Sequence, residues 1–177
     1  MTKAASASVI PLREDIDDPL VAYLLVRTDL PSLGRGKAYA HAMHAGNHLT
    51  HDLWVTPLLN EEDVDPRVVA WHEQGRGFGT TLAVGDDGEV GGLKLKQLVD
   101  AAKACGHLAG IVVDDSYPYH LNDETLGLID PKHHSLAPQK TLNGWRCYRQ
   151  EITAGWVLGH KNDLGILLSQ FGLVPND

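Results

Sequence analysis

The sequence predicts an α/β fold: one three-layer domain with a mixed, mostly parallel central sheet of about four strands, flanked by helices. Short apolar runs alternate with segments whose apolar residues recur at helical spacing, the order that builds layered α/β folds. The chain has 177 residues, 43% of them hydrophobic and 21% charged, the makeup of one globular domain. A chain of that length buries ~70% of the surface it exposes when unfolded. No run of 18 residues is continuously apolar, so the sequence predicts no membrane-spanning helix.

Residues 1–19 read as a flexible leader, with acidic side chains at Glu14, Asp15, Asp17 and Asp18. They lack the apolar core and cleavage site of a secretory signal. Residues 20–177 form the domain. Leu20–Val26 is nearly all apolar between Pro19 and Arg27-Thr28-Asp29, which suits a strand buried on both faces. A Pro- and Gly-rich turn leads to Lys37–Trp54, which has helical composition with Gly46 and Asn47 weakening its middle. A second helix starts at Pro66, capped by Asp65, and stops at Gly75. Gly79–Val84 is the next strand and Asp86-Asp87-Gly88 a turn. Leu93–Cys105 spaces Leu93, Leu95, Leu98, Val99 and Ala102 at helical intervals, with Gly106 as its stop. Ala109–Val113 is a short strand ending in Asp114-Asp115. Residues 116–150, with Pro118, Pro131 and Pro138, read as irregular. Ile152–Leu158 is the last strand, and Asn162–Phe171 the last helix, stopping at Gly172.

Fifteen basic and 23 acidic residues give a net charge of −8, which argues against a domain held on nucleic acid by an overall basic surface. The charge is unevenly spread. Residues 131–150 hold Lys132, Lys140, Arg146 and Arg149 with no acidic residue, beside His133 and His134. That window is either a solvated loop or an anion-facing arm on an acidic body. The two cysteines, Cys105 and Cys147, supply neither a disulfide framework nor a four-thiolate zinc site, and a reducing, cytoplasmic setting is expected.

Three groupings carry possible chemistry. Gly34-Arg35-Gly36-Lys37 stands where a strand passes into a helix, so backbone amides and an ammonium group face an incoming anion, or form a plain tight turn. It is not a Walker A loop, lacking both the spacing and the Ser or Thr. Asp114-Asp115 ends a buried strand and either opens a turn or holds a general base. His41, His44, His48 and His51 fall within an arc of about 80° on one helix face at about 100° per residue. Such a stripe lines a groove or, alternatively, shares a metal ion.

Several of these residues resemble a known family. Leu24-Leu25-Val26-Arg27-Thr28-Asp29-Leu30, followed by Gly34-Arg35-Gly36-Lys37 and His44-Ala45, resembles the opening of the type 2 (archaeal and eukaryotic) peptidyl-tRNA hydrolases. Gly110-Ile111-Val112-Val113-Asp114 resembles their second block, and Val157-Leu158-Gly159 with Gly172-Leu173-Val174 their third. The matched regions are roughly 20–54, 79–121 and 152–174, with insertions at about 55–78 and 122–151. The resemblance implies a compact mixed-sheet α/β fold that cleaves the ester joining a peptide, or another acyl group, to the 3′ end of tRNA. It implies no metal and no organic cofactor, with peptidyl-tRNA or tRNA as partner, in a monomer or a homodimer. By position, Lys37 matches the family's active-site lysine, Asp114 its active-site aspartate, and His44 the histidine of its helix. His41 stands where the family has Gln and is the candidate to replace missing polar groups. Arg35, Gly36, His44 and Asp115 are the expected substrate contacts around the cleft, and Lys132, Lys140, Arg146 and Arg149 those along the arm.

The chain also departs from the family. Asp115-Ser116-Tyr117-Pro118 replaces A-G-R-T, removing an arginine and a threonine, and Gly155-Trp156 stands near where the family carries another threonine. Two hypotheses follow: an esterase built on Lys37, Asp114 and His41, or an inactive module of the same fold that binds tRNA, a nucleotide or a protein. Both require Lys37 and Asp114, far apart along the chain, to line one cleft.

Overall fold

A computed structural model describes residues 16–27, 29–30, 35–75, 81–85, 92–127, 136–171 and 173. The elements run β1 (Leu20–Val26), α1 (Arg35–Thr50), a π-helical turn (His51–Val55), α2 (Thr56–Leu59), α3 (Pro66–Gln74), β2 (Thr81–Gly85) and α4 (Gly92–Ala104). They continue with β3 (Leu108–Leu121), α5 (Asp123–Gly127), β4 (Leu136–Thr141), β5 (Gly144–His160) and α6 (Lys161–Gln170). Asp65 caps α3 as expected, its carboxylate accepting from the Arg67 N–H at 2.8 Å. α1 runs through Gly46 and Asn47 without a break, because Ala45 and Leu49 on its inner face are buried against the sheet. Among the described residues no helix is long and apolar enough to cross a membrane.

The sheet is mixed, in the order β2-β1-β5-β3, with β4 paired to β5. The expectation of a mixed sheet of about four strands holds, with four strands in the main order and β4 beside β5, but the expectation that it is mostly parallel is corrected. Among the described residues only β1 and β2 are parallel, and β5 runs antiparallel to β1, β3 and β4. The cause lies in 116–150, which is not irregular. β3 continues to Leu121, and β4 and the first half of β5 fill most of the remainder. Among the described residues no long crossover helix joins β3 to β5, and β5 returns antiparallel beside β3. The outer half of β5 lies between β3 and β4, and its inner half between β3 and β1.

β1 is buried along its whole length because helices cover both faces of the sheet. Val21, Tyr23 and Leu25 pack with Leu95, Leu98 and Val99 of α4 and Leu164 and Leu168 of α6. Leu20, Ala22 and Leu24 face the other way, toward Ala45 and Leu49 of α1 and Trp71 of α3. Each such Leu or Val contributes about 1.5–3 kcal/mol when fully buried. Trp156 of β5 lies over Gly110 of β3 so closely that a Cβ at Gly110 would come within 2.6 Å of the indole.

Part of the expected leader belongs to the fold. Asp18 accepts from the Asn162 N–H at 2.9 Å, and the Pro19 carbonyl accepts from the Lys161 N–H at 2.9 Å, so both hold the start of α6. Residues 1–15 lie outside the described residues, as do Asp86-Asp87-Gly88 and Gly172. Both expected insertions carry regular structure, and α3 within the first supplies Val68 and Trp71 to the interior.

Candidate functional site

A cavity of about 360 Å³ opens between α1, along Lys37 to His48, and the middle of β3 and β5. It falls within the size range of small-ligand sites, ~300–1,000 Å³. Lys37, His41, His44 and His48 of α1 form one wall, since residues three and four apart share a helix face. Val112 to Asp115, Tyr117 and Pro118 of β3, with Thr153 of β5, form the other. Lys37 and Asp114 therefore line one cavity, together with His41, His44 and Asp115.

Two irregularities shape the β wall. Val112 pairs with Ala154 and Val113 with Ile152, which leaves Thr153 as the extra residue of a bulge in β5. Asp114 pairs with Glu151 but Tyr117 with Arg149, which places one extra residue in β3. Bulges re-aim side chains and break strict alternation, and they recur beside functional sites. Here they let Asp114 and Asp115 both contribute to the wall. Asp114 Oδ1 accepts from the Ser116 N–H at 2.9 Å, whereas Asp115 Oδ1 accepts from the Gln150 amide at 2.8 Å.

Tyr117, buried, joins the two walls. Lys37 Nζ lies 5.5 Å from its ring centroid, and the His41 ring is tilted against it at 5.8 Å. An ammonium over an aromatic face is attracted by about 0.5–2 kcal/mol. His41 is 6% exposed, and its Nδ1 is sealed without a hydrogen-bond partner among the described residues. Burial pushes its imidazole below the usual range; His44, Lys37 and Arg27 act in the same direction, and Asp114 against them.

Arg27 braces the adjoining sheet from the end of β1. Its guanidinium donates to Asp29 at 2.7 and 2.6 Å, to Glu151 at 2.5 Å and to the Ile152 carbonyl at 2.9 Å. The Tyr119 hydroxyl donates to the other oxygen of Glu151 at 2.6 Å. Burial, then the bond to Glu151, raises the Tyr119 phenol above its ordinary value. The Arg27 N–H donates to the Thr153 carbonyl at 3.4 Å, fixing the bulge that carries the threonine.

The remaining expected contacts are not gathered at the cavity. Gly36 is exposed in the first turn of α1, where a Cβ would meet nothing within 4 Å, so the position does not require glycine. Arg35 opens α1, while its side chain, Gly34 and Lys132 lie outside the described residues. Lys140 stands over Trp145 at 4.9 Å and 3.7 Å from Asp123, on the exposed β4–β5 arm. Arg146 is exposed on the same arm, and Arg149 covers the Tyr119 ring at 5.1 Å. None of these three lines the cavity, but the outer half of β3, which carries Tyr117 and Pro118 into it, pairs with the β5 strand of the arm. The histidine stripe divides too. His41, His44 and His48 face the cavity, while His51 sits in the π-helical turn with its Nδ1 3.3 Å from the Thr56 hydroxyl. Among the described residues no three His, Cys, Asp or Glu side chains are grouped to hold a metal ion.

Thr153 and Tyr117 are the site residues that sequence reasoning missed. The one available signal for Thr153 was a lone hydroxyl in the apolar run that ends at Leu158. Compared with known proteins, the chain matches no family model and no curated sequence.

Proposed function

We propose that this cavity hydrolyses an ester between an acyl or peptidyl group and the 3′ end of tRNA. The observation supporting this reading is the meeting of an ammonium group, Lys37, and a carboxylate, Asp114, across one cavity whose wall is completed by Asp115, three histidines and apolar, aromatic and hydroxyl-bearing side chains. Asp114 takes a proton from the attacking water, a role typically contributing ~10²–10⁴-fold. Lys37, held over Tyr117, binds the negative charge of the terminal nucleotide or of the developing oxyanion. Thr153 adds a hydroxyl to the β wall and offsets the threonines absent from the family pattern. The arm bearing Lys140, Arg146 and Arg149 meets the phosphates of the acceptor stem, which fits a basic strip on a chain of net charge −8.

The test is turnover of an N-acetyl-aminoacyl-tRNA at two salt concentrations, with release of the blocked amino acid as readout. Hydrolysis that slows at higher salt is expected. Tight, salt-sensitive binding without hydrolysis would replace the esterase by a tRNA-binding module of the same fold, and neither binding nor turnover would end both readings.

A further inference from the structure

The sealed nitrogen of His41 restricts what that ring can do. Its Nδ1 has no hydrogen-bond partner among the described residues and no solvent, yet the ring lines the cavity. An orphaned buried N–H is rarer in proteins than an under-satisfied acceptor. The cheaper arrangement leaves Nδ1 as a bare lone pair and puts the proton on Nε2, the nitrogen left to meet anything entering the cavity. We propose that His41 serves the reaction as a hydrogen-bond donor and not as a base, its Nε2–H aimed at the oxyanion that forms on the acyl carbonyl. This rests on the hydrolase reading of the site and assigns the histidine a role opposite to that of a base.

To act as a base, Nε2 would have to begin without its proton, which would then sit on Nδ1 as a sealed N–H. To become an imidazolium, the ring would need the same orphan N–H plus a buried charge. The charged and titratable groups around the ring oppose that charge on balance. Lys37 and His44 flank it on α1, and Arg27 lies at the end of β1; Asp114 on β3 favours it, and Tyr117 on β3 contributes a ring contact. The step then balances without His41 giving or taking a proton. Water oxygen bonds to the acyl carbon and gives a proton to Asp114, while the carbonyl π pair moves to oxygen and accepts the bond from Nε2–H. Collapse re-forms the carbonyl and breaks the bond to the ribose 3′ oxygen, which takes the proton held by Asp114.

The experiment combines spectroscopy with kinetics on the full-length chain. Protein labelled with ¹⁵N at histidine is titrated from pH 5.5 to 8, and the His41 signals are assigned by their loss in His41→Gln. A neutral Nε2–H tautomer near pH 7, titrating below the ordinary histidine value of 6.5, is expected. His41→Phe, which keeps a ring but has no donor, should lower kcat by about 10²–10³ with KM little changed. His41→Gln, whose amide can donate, should stay within about tenfold of wild type with an unchanged pH profile. An Nδ1–H tautomer, a titration at or above 6.5, or a Phe variant as fast as wild type in an active protein would overturn the inference; so would a Gln variant as slow as the Phe variant. If the Phe variant does not fold, the tautomer and the Gln variant still decide. A wild-type chain without turnover instead removes the hydrolase reading, and with it any oxyanion role for the ring.

Discussion

Arg27→Met is the perturbation that bears hardest on the frame around the cavity. Methionine keeps an unbranched apolar stem but leaves the carboxylates of Asp29 and Glu151, only 23% and 15% exposed, without their cation. It also removes the bond to the Ile152 carbonyl at 2.9 Å. Removing one partner of a buried ion pair costs about 3–5 kcal/mol, since the charge left behind is uncompensated. Asp29 retains some contact with water, which favours the lower end, about 3 kcal/mol. With a urea slope of about 2 kcal/mol/M, the unfolding midpoint at pH 7 should drop by roughly 1.5 M. The pH dependence has a definite sign. The bond from Arg27 holds the Asp29 carboxyl below its ordinary value of 3.8. That stability is present in wild type above pH 3.8 and is lost as pH falls through the lower folded value. In the variant, acid neutralises the stranded carboxylates and relieves their penalty, so the gap between the two proteins should narrow below about pH 4. A midpoint within 0.3 M (about 0.6 kcal/mol) of wild type at pH 7, or a gap that widens in acid, would refute the reasoning.

Other substitutions test separate parts of the structure. Gly110→Ala puts a methyl 2.6 Å from a rigid indole and should cost about 1–3 kcal/mol, seen as a melting temperature lowered by several degrees. Arg146→Ala, on the exposed arm, should leave melting unchanged but weaken tRNA binding and reduce the slope of log affinity against log salt by about one. His41 is held below its ordinary value of 6.5, so the unfolded chain takes up its proton first as pH falls. Wild-type stability should therefore decline below pH 6.5, and His41→Gln should flatten that decline in urea titrations between pH 5 and 7.

The parts of the fold legible in the sequence were those set by local rules. The apolar run at Leu20–Val26, the Asp65 cap before Pro66 and the spacing of Leu95, Leu98 and Val99 each follow from burial or capping within one element. Strand direction was not legible, because it depends on what joins β3 to β5. Half-exposed strands with alternating polar residues, such as Tyr117–Leu121 and Trp145–Arg149, carry little apolar signal and read as loop. The α1 wall of the cavity was visible in part, as a helix face bearing His41, His44 and His48, while His51 on the expected stripe lies elsewhere and Lys37 was read with the turn before the helix. The β wall was partly hidden, since Thr153 reaches the cavity through a bulge and bulges arise from pairing between strands. Tyr117 was equally hidden, because its value lies in what it touches across the cavity.

The central claim is that Lys37 and Asp114 serve one chemical step, and a double-mutant cycle tests it directly. Single-turnover cleavage of N-acetyl-aminoacyl-tRNA is measured for wild type, Lys37→Ala, Asp114→Asn and the double variant. Groups acting as a unit give strongly non-additive losses. Each single variant should lose about 10²-fold or more, and the double variant little more than the slower single one. Single variants as fast as wild type, or losses that simply multiply in the double variant, would contradict it.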